Sequence, residues 1–129
     1  MSSPMPTPTP AELAILRVLW EHGPSTVREI HEALKEERET GLSTTLKFVQ
    51  LMTEKGLLLK EGSGRPQVFK PSQPQERTQM RLLDELIQRA FDGSASNLVL
   101  RAVTGRRISA KELAEIKRLI DHSRKDNKS

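Results

Sequence analysis

A mainly α fold with one small β-hairpin is predicted for this 129-residue chain on three observations. Apolar residues recur at helical spacing in three segments that follow residue 10. The period then switches to that of extended chain across "LLLKEGSGRPQVFKP", residues 57–71. Helical spacing returns at Met80 and runs to the end of the chain. With 35% hydrophobic and 29% charged residues, the chain can build a core, but a modest one. The absence of cysteine excludes disulfides, thiolate metal sites, iron–sulfur clusters and thiol catalysis. No run approaches the roughly 20 apolar residues of a membrane helix, and "MSSPMPTPTP" lacks the basic and apolar regions of a secretory signal. A soluble, cytoplasmic protein is expected.

Four prolines in the first ten residues predict a flexible arm over residues 1–8. From Ala11 a helix is expected, with Leu13, Leu16, Val18, Leu19 and Trp20 crowding one side and "HGP" at 22–24 ending it. Ser25 is a candidate N-cap for helix two, "STVREIHEALKEERE", where Val27, Ile30, Ala33 and Leu34 repeat among charged residues and His31 falls on the polar side. Thr40 and Gly41 break that pattern, and "LSTTLKFVQLMTEKG", residues 42–56, is helix three. Two short strands with a Gly-rich turn follow. Three short helices and then a two-stranded hairpin is the order of a winged helix-turn-helix, placed over residues 9–72.

"SQPQERTQ", residues 72–79, reads as a junction. Beyond it "MRLLDELIQRAF" is amphipathic, "DGSASNLVLRAV" adds a small apolar helix, and "SAKELAEIKRLIDHSRK" closes the chain, with Ser109 and Glu112 spaced for a capping box. These helices have apolar faces and no sheet to cover them, so residues 73–129 are expected to form a helical dimerisation domain. Packing on the winged helix of the same chain is the alternative. Leu82, Leu86, Phe91, Leu98, Leu100, Val103, Leu113, Ile116 and Ile120 are the expected buried set. A homodimer would place two copies of helix three on successive turns of one DNA face.

Helix three carries the candidate site. At roughly 100° per residue, Thr45, Phe48, Val49 and Met52 share one side and form its inward face. Ser43, Thr44, Lys47, Gln50 and Glu54 gather on the opposite side. Small hydroxyls, an amide and a cation facing outward from an anchored helix suit base edges and phosphates in a major groove. Ser43 and Thr44 occupy the first turn, where free backbone N–H groups favour a phosphate oxygen. Charge placement agrees. The pI is about 9.7, yet residues 1–39 hold four Lys/Arg against seven Asp/Glu, whereas residues 40–72 hold five against two. In the hairpin, Lys60, Lys70 and Arg65 at the tip are basic, and Lys60 and Arg65 are candidates for the DNA backbone. Leu46 and Leu51 flank the polar row; they would either touch thymine methyls or pack on the neighbouring helix.

The runs "TPAELAILRVLWEHGPSTVREIHEAL", "TTLKFVQLMTEKGLL" and "VFKP" together resemble the BlaI/MecI/CopY group of bacterial penicillinase-type repressors. The most telling pieces are Glu12 with Leu19-Trp20 and Gly23, Thr44 in helix three, the "KGLL" exit at 55–58 and "FDGSASNLVLRAV" in the tail. The resemblance covers nearly the whole chain. It implies a DNA-binding winged helix, a C-terminal dimerisation domain, palindromic operators and relief of repression through a partner membrane sensor protease. The chain departs from it where many relatives carry a basic residue, having Leu46 and Leu51 instead, and it lacks the cysteine motifs of the copper-responsive branch.

No catalytic constellation is present. His22, His31 and His122 have no metal-ligand spacing, and Glu36, Glu37 and Glu39 form an acidic cluster with no histidine beside it. "EGSGRP" lacks the lysine of a phosphate loop and is explained by a hairpin turn. No cofactor and no metal are expected. A sequence-specific repressor is the favoured function, and the alternative is a winged-helix adaptor that binds protein through helix three or the hairpin, which Leu46 and Leu51 beside the polar row favour.

Overall fold

The computed structural model describes residues 7–37, 39–105 and 107–126. Most of the arm expected over residues 1–8 therefore lies outside the described residues. The elements run α1 (Pro10–His22), β1 (Ser25–Thr26), α2 (Val27–Leu34), α3 (Leu42–Glu54), β2 (Leu58–Glu61), β3 (Val68–Pro71), α4 (Gln75–Ala90), α5 (Ala95–Thr104) and α6 (Ala110–Asp126). They fall into two compact units that divide between Leu82 and Leu83, within α4.

In the first unit, α1 begins with proline at its first position, where no N–H is missed, and with a capping box: the Thr9 hydroxyl accepts from the Glu12 N–H while the Glu12 carboxylate accepts from the Thr9 N–H. It ends at Gly23, whose φ of 83° turns the chain in a way that L side chains resist. Ser25 does not cap α2. It is buried in β1 and pairs with Phe69, and Thr26 caps the helix in a second capping box with Glu29. Helix two is also shorter than expected. It stops at Leu34, because "KEERE" offers no further apolar residue to the core.

The sheet has three strands in the order β1-β3-β2, all antiparallel, so the hairpin gains an edge strand that the sequence reading omitted. Gln67 braces the turn through its amide, donating to the carbonyls of Glu61, Gly62 and Val68, and Ser72 closes the base of the hairpin on the Gly56 carbonyl at 2.6 Å. The core joins α1, α2, α3 and the sheet through Ala14, Ile15, Leu16, Leu19, Ile30, Leu34, Val49, Met52, Leu57, Leu58 and Phe69. Each fully buried Leu, Ile or Met contributes about 1.5–3 kcal/mol of transfer free energy. On α1 the deepest residue is Ile15, while Val18 and Trp20 are partly buried against the cluster.

The junction expected over residues 72–79 is mostly helix, since α4 starts at Gln75 directly after Pro74. The second unit comprises the rest of α4 with α5 and α6. Ser94 caps α5, and Ser109 and Glu112 form the expected capping box at α6. Among its described residues none is buried within the protomer. The set expected to be buried is half-buried at Phe91 and Leu98 and exposed at Leu86, Leu100, Val103, Leu113, Ile116 and Ile120; Leu82, at the edge of the first unit, is half-buried. Within the second unit the three helices leave these faces exposed among the described residues. Among the described residues no helix is long and apolar enough to cross a membrane.

Candidate nucleic-acid interface

Two polar ties fix α3 from within. The Thr45 side chain, fully buried as expected, lies with its Oγ1 3.3 Å from His31 Nδ1. His31 is therefore not on the polar side of α2. It is buried, because Thr45 supplies the partner that an imidazole needs away from water. At the other end of α3, Lys55 caps the helix and donates to Glu12 Oε2 at 2.7 Å. Glu12 is 2% exposed. Burial pushes its carboxyl up, but the hydrogen bond from Lys55, that from the Thr9 N–H and the Lys55 charge outweigh burial and hold it below the ordinary carboxylate range. The same tie commits Lys55 to the protein rather than to a ligand. Val49 and Met52 complete the inward face with no exposure, and Phe48 is half-buried.

With that side anchored, Ser43, Thr44, Lys47, Gln50 and Glu54 all stand exposed. The helix opens at Gly41 with no side-chain cap and no acidic residue in its first turn. By contrast, α1, α2 and α6 each begin with a hydroxyl residue and a glutamate that satisfy the terminal N–H groups. The positive end of the α3 dipole thus carries no fixed negative charge. Its far end is the reverse: Glu54 is exposed, and among the described residues it makes no ion pair. Attraction for an anion is concentrated in the N-terminal half of α3.

In the wing, Lys60 and Arg65 are exposed and without an ion pair among the described residues, whereas Lys70 lies 3.9 Å from Glu61. A groove of about 1230 Å³ runs between α3, the start of α2 and the hairpin. Of the residues expected at the site, Gln50 and Lys60 line it; Ser43, Thr44, Lys47 and Arg65 are exposed outside it. Further residues line it, among them the carboxylates Glu29, Glu32 and Glu54 and two that bear on recognition. Arg28, exposed in the first turn of α2, adds a cation, and Leu46 is 41% exposed. A cation two residues after a capping hydroxyl was available as a signal for Arg28, but averaging it into an acidic N-terminal third concealed it.

Three helices with the third held from inside, flanked by a three-stranded sheet whose hairpin carries exposed cations, define a winged helix-turn-helix protein. The solution structure of the monomeric form of Bacillus licheniformis BlaI, in complex with the blaP half-operator, has this fold. It is similar to the chain at 23% identity and a TM-score of 0.50, over 57% of this chain and 89% of that one. Comparison with curated protein sequences gives no match. The family model described as penicillinase repressor matches residues 8–122. The chain belongs to the penicillinase repressor family, and is accordingly a DNA-binding regulator and not an enzyme.

Proposed function

We propose that the chain represses transcription as a homodimer on palindromic operators, with α3 in the major groove. Ser43, Thr44, Lys47 and Gln50 read bases or position the helix, and Lys60 and Arg65 hold the backbone. The observation that carries this reading is the division of α3, whose polar row is exposed along its length while Thr45, Val49 and Met52 are buried. Shape supports it through the wing beside the helix, and electrostatics through the uncapped first turn. The uncovered apolar faces of α4, α5 and α6 supply the surface for pairing. Relief through a membrane sensor protease pathway is carried over from the family resemblance.

The test is a gel shift on operators selected from random DNA, repeated across salt. Each phosphate neutralised contributes about −0.9 to the slope of log affinity against log salt, so Lys47→Ala on a phosphate lowers the slope and weakens all sequences alike. On a base it relaxes preference at one position. Undiminished binding by that variant removes Lys47 from the interface. The exposed Leu46 and Leu51 favour one other reading, a protein-binding adaptor, which weak and sequence-blind binding in the same assay would support. Unchanged length and operator affinity of the repressor after the inducing signal would remove the protease pathway.

A further inference from the structure

Leu46 lies outside the core. It is 41% exposed and belongs neither to the core cluster nor to the partly buried residues packed against it, so a large part of its side chain is open to a ligand. It stands one turn before Gln50 on the same side of α3, and both line the groove that also holds Lys60 of the wing, Arg28 and the carboxylates Glu29, Glu32 and Glu54. A duplex that touches Gln50 and Lys60 passes over Leu46. Leu51, equally exposed at 40%, does not line that groove.

We propose that Leu46 reads the 5-methyl group of a pyrimidine, the thymine methyl in unmodified DNA, next to an adenine held by Gln50. The proposal rests on the major-groove reading of α3 given above and names part of what that helix recognises. The thymine methyl is the apolar group that the major groove presents, and glutamine pairs with adenine through N6 and N7. A leucine pressed on a G·C edge instead strips water from polar groups that it cannot satisfy, so the side chain selects for the methyl and against its absence. Spacing fits. Four residues of helix advance about 6 Å, against a rise of about 3.4 Å per base pair, which places the two contacts one or two steps apart in the same half-site.

The experiment measures affinity of the full chain by fluorescence anisotropy for its selected operator and for a duplex with deoxyuridine replacing the half-site thymines. A third and a fourth duplex carry 5-methylcytosine or cytosine in place of thymine, opposite guanine. Burial of one methyl is worth about fourfold, so uracil should weaken binding by about that factor for each methyl contacted. 5-Methylcytosine, which restores the methyl but not the base pair, should bind better than cytosine at the same position. Leu46→Ala should bind the thymine and uracil duplexes equally, while Leu51→Ala keeps the difference. Equal binding of thymine and uracil duplexes by the unaltered chain, which needs no variant, overturns the proposal and leaves the DNA reading standing; so does a Leu46→Ala protein that still discriminates. Failure to bind any duplex overturns the DNA reading as well.

Discussion

Lys55 looks from the outside like an ordinary surface lysine, and its removal should nonetheless cost far more than a surface charge does. Its ammonium lies 2.7 Å from Glu12 Oε2, and the Glu12 side chain is 2% exposed while that of Lys55 is 40% exposed. Lys55→Ala strands the buried carboxylate with the Thr9 N–H as its remaining partner. Breaking a buried pair from one side costs about 3–5 kcal/mol. Solvent reaches the lysine end, and a stranded carboxyl can take up a proton, so the expected loss is about 2 kcal/mol. Glu12→Gln is the milder change. The amide oxygen still accepts from Thr9, the lysine turns to water, and about 1 kcal/mol is lost with the hydrogen bond. Thermal unfolding followed by circular dichroism separates the two, since 1 kcal/mol corresponds to about 4–8 °C in a domain of this size. The order is the diagnostic: Lys55→Ala below Glu12→Gln, with the double variant no worse than Glu12→Gln. Linkage gives a second readout. Glu12 has a lower pKa folded than unfolded, so its stabilisation is complete above the ordinary glutamate pKa and is lost as pH falls through the folded value. Glu12→Gln should remove that acid-side decline. A Lys55→Ala protein within 0.5 °C of the parent would refute the account of a buried tie between α1 and the end of α3.

Other changes probe the remaining links. Thr45→Val keeps the volume near His31 but deletes the hydroxyl, and should lower stability to urea by about 1 kcal/mol; no change in the midpoint would mean that His31 and Thr45 do not bond. Glu54→Gln removes an exposed carboxylate from the outer face of α3 and should tighten binding to any duplex several-fold at low salt, an effect that disappears as screening rises; weaker binding would show Glu54 to be a base contact instead. Ile116→Glu, on an exposed face of α6, should turn a dimer into a monomer in sedimentation equilibrium while helix content holds; a dimer that survives would move the pairing surface elsewhere.

What the sequence made legible follows from the range of the forces involved. α1, α3 and the hairpin were readable because burial writes a period into consecutive residues, and the outer row of α3 was readable for the same reason. β1 was not. Two residues carry no period, and Ser25 and Thr26 form a strand because β3 returns to pair with them. The misplaced cap of α2 was decidable locally: three residues after Ser25 stands Arg28, whereas three after Thr26 stands Glu29, which the capping box requires. His31 could not be placed from its own helix, because its burial depends on a hydroxyl supplied by α3. The same limit applied to Arg28. Most of the acidic excess of residues 1–39 comes from Glu32, Glu36, Glu37 and Glu39, in and beyond the C-terminal half of α2, and Glu32 is partly answered by Lys35 at 3.3 Å. Arg28 lines the groove shared with Gln50 and Lys60, but so do Glu29, Glu32 and Glu54, so that groove faces a ligand with two cations and three carboxylates. The placement of these charges matters to a ligand more than their sum along the chain, because screening limits what it meets to groups within a few ångströms.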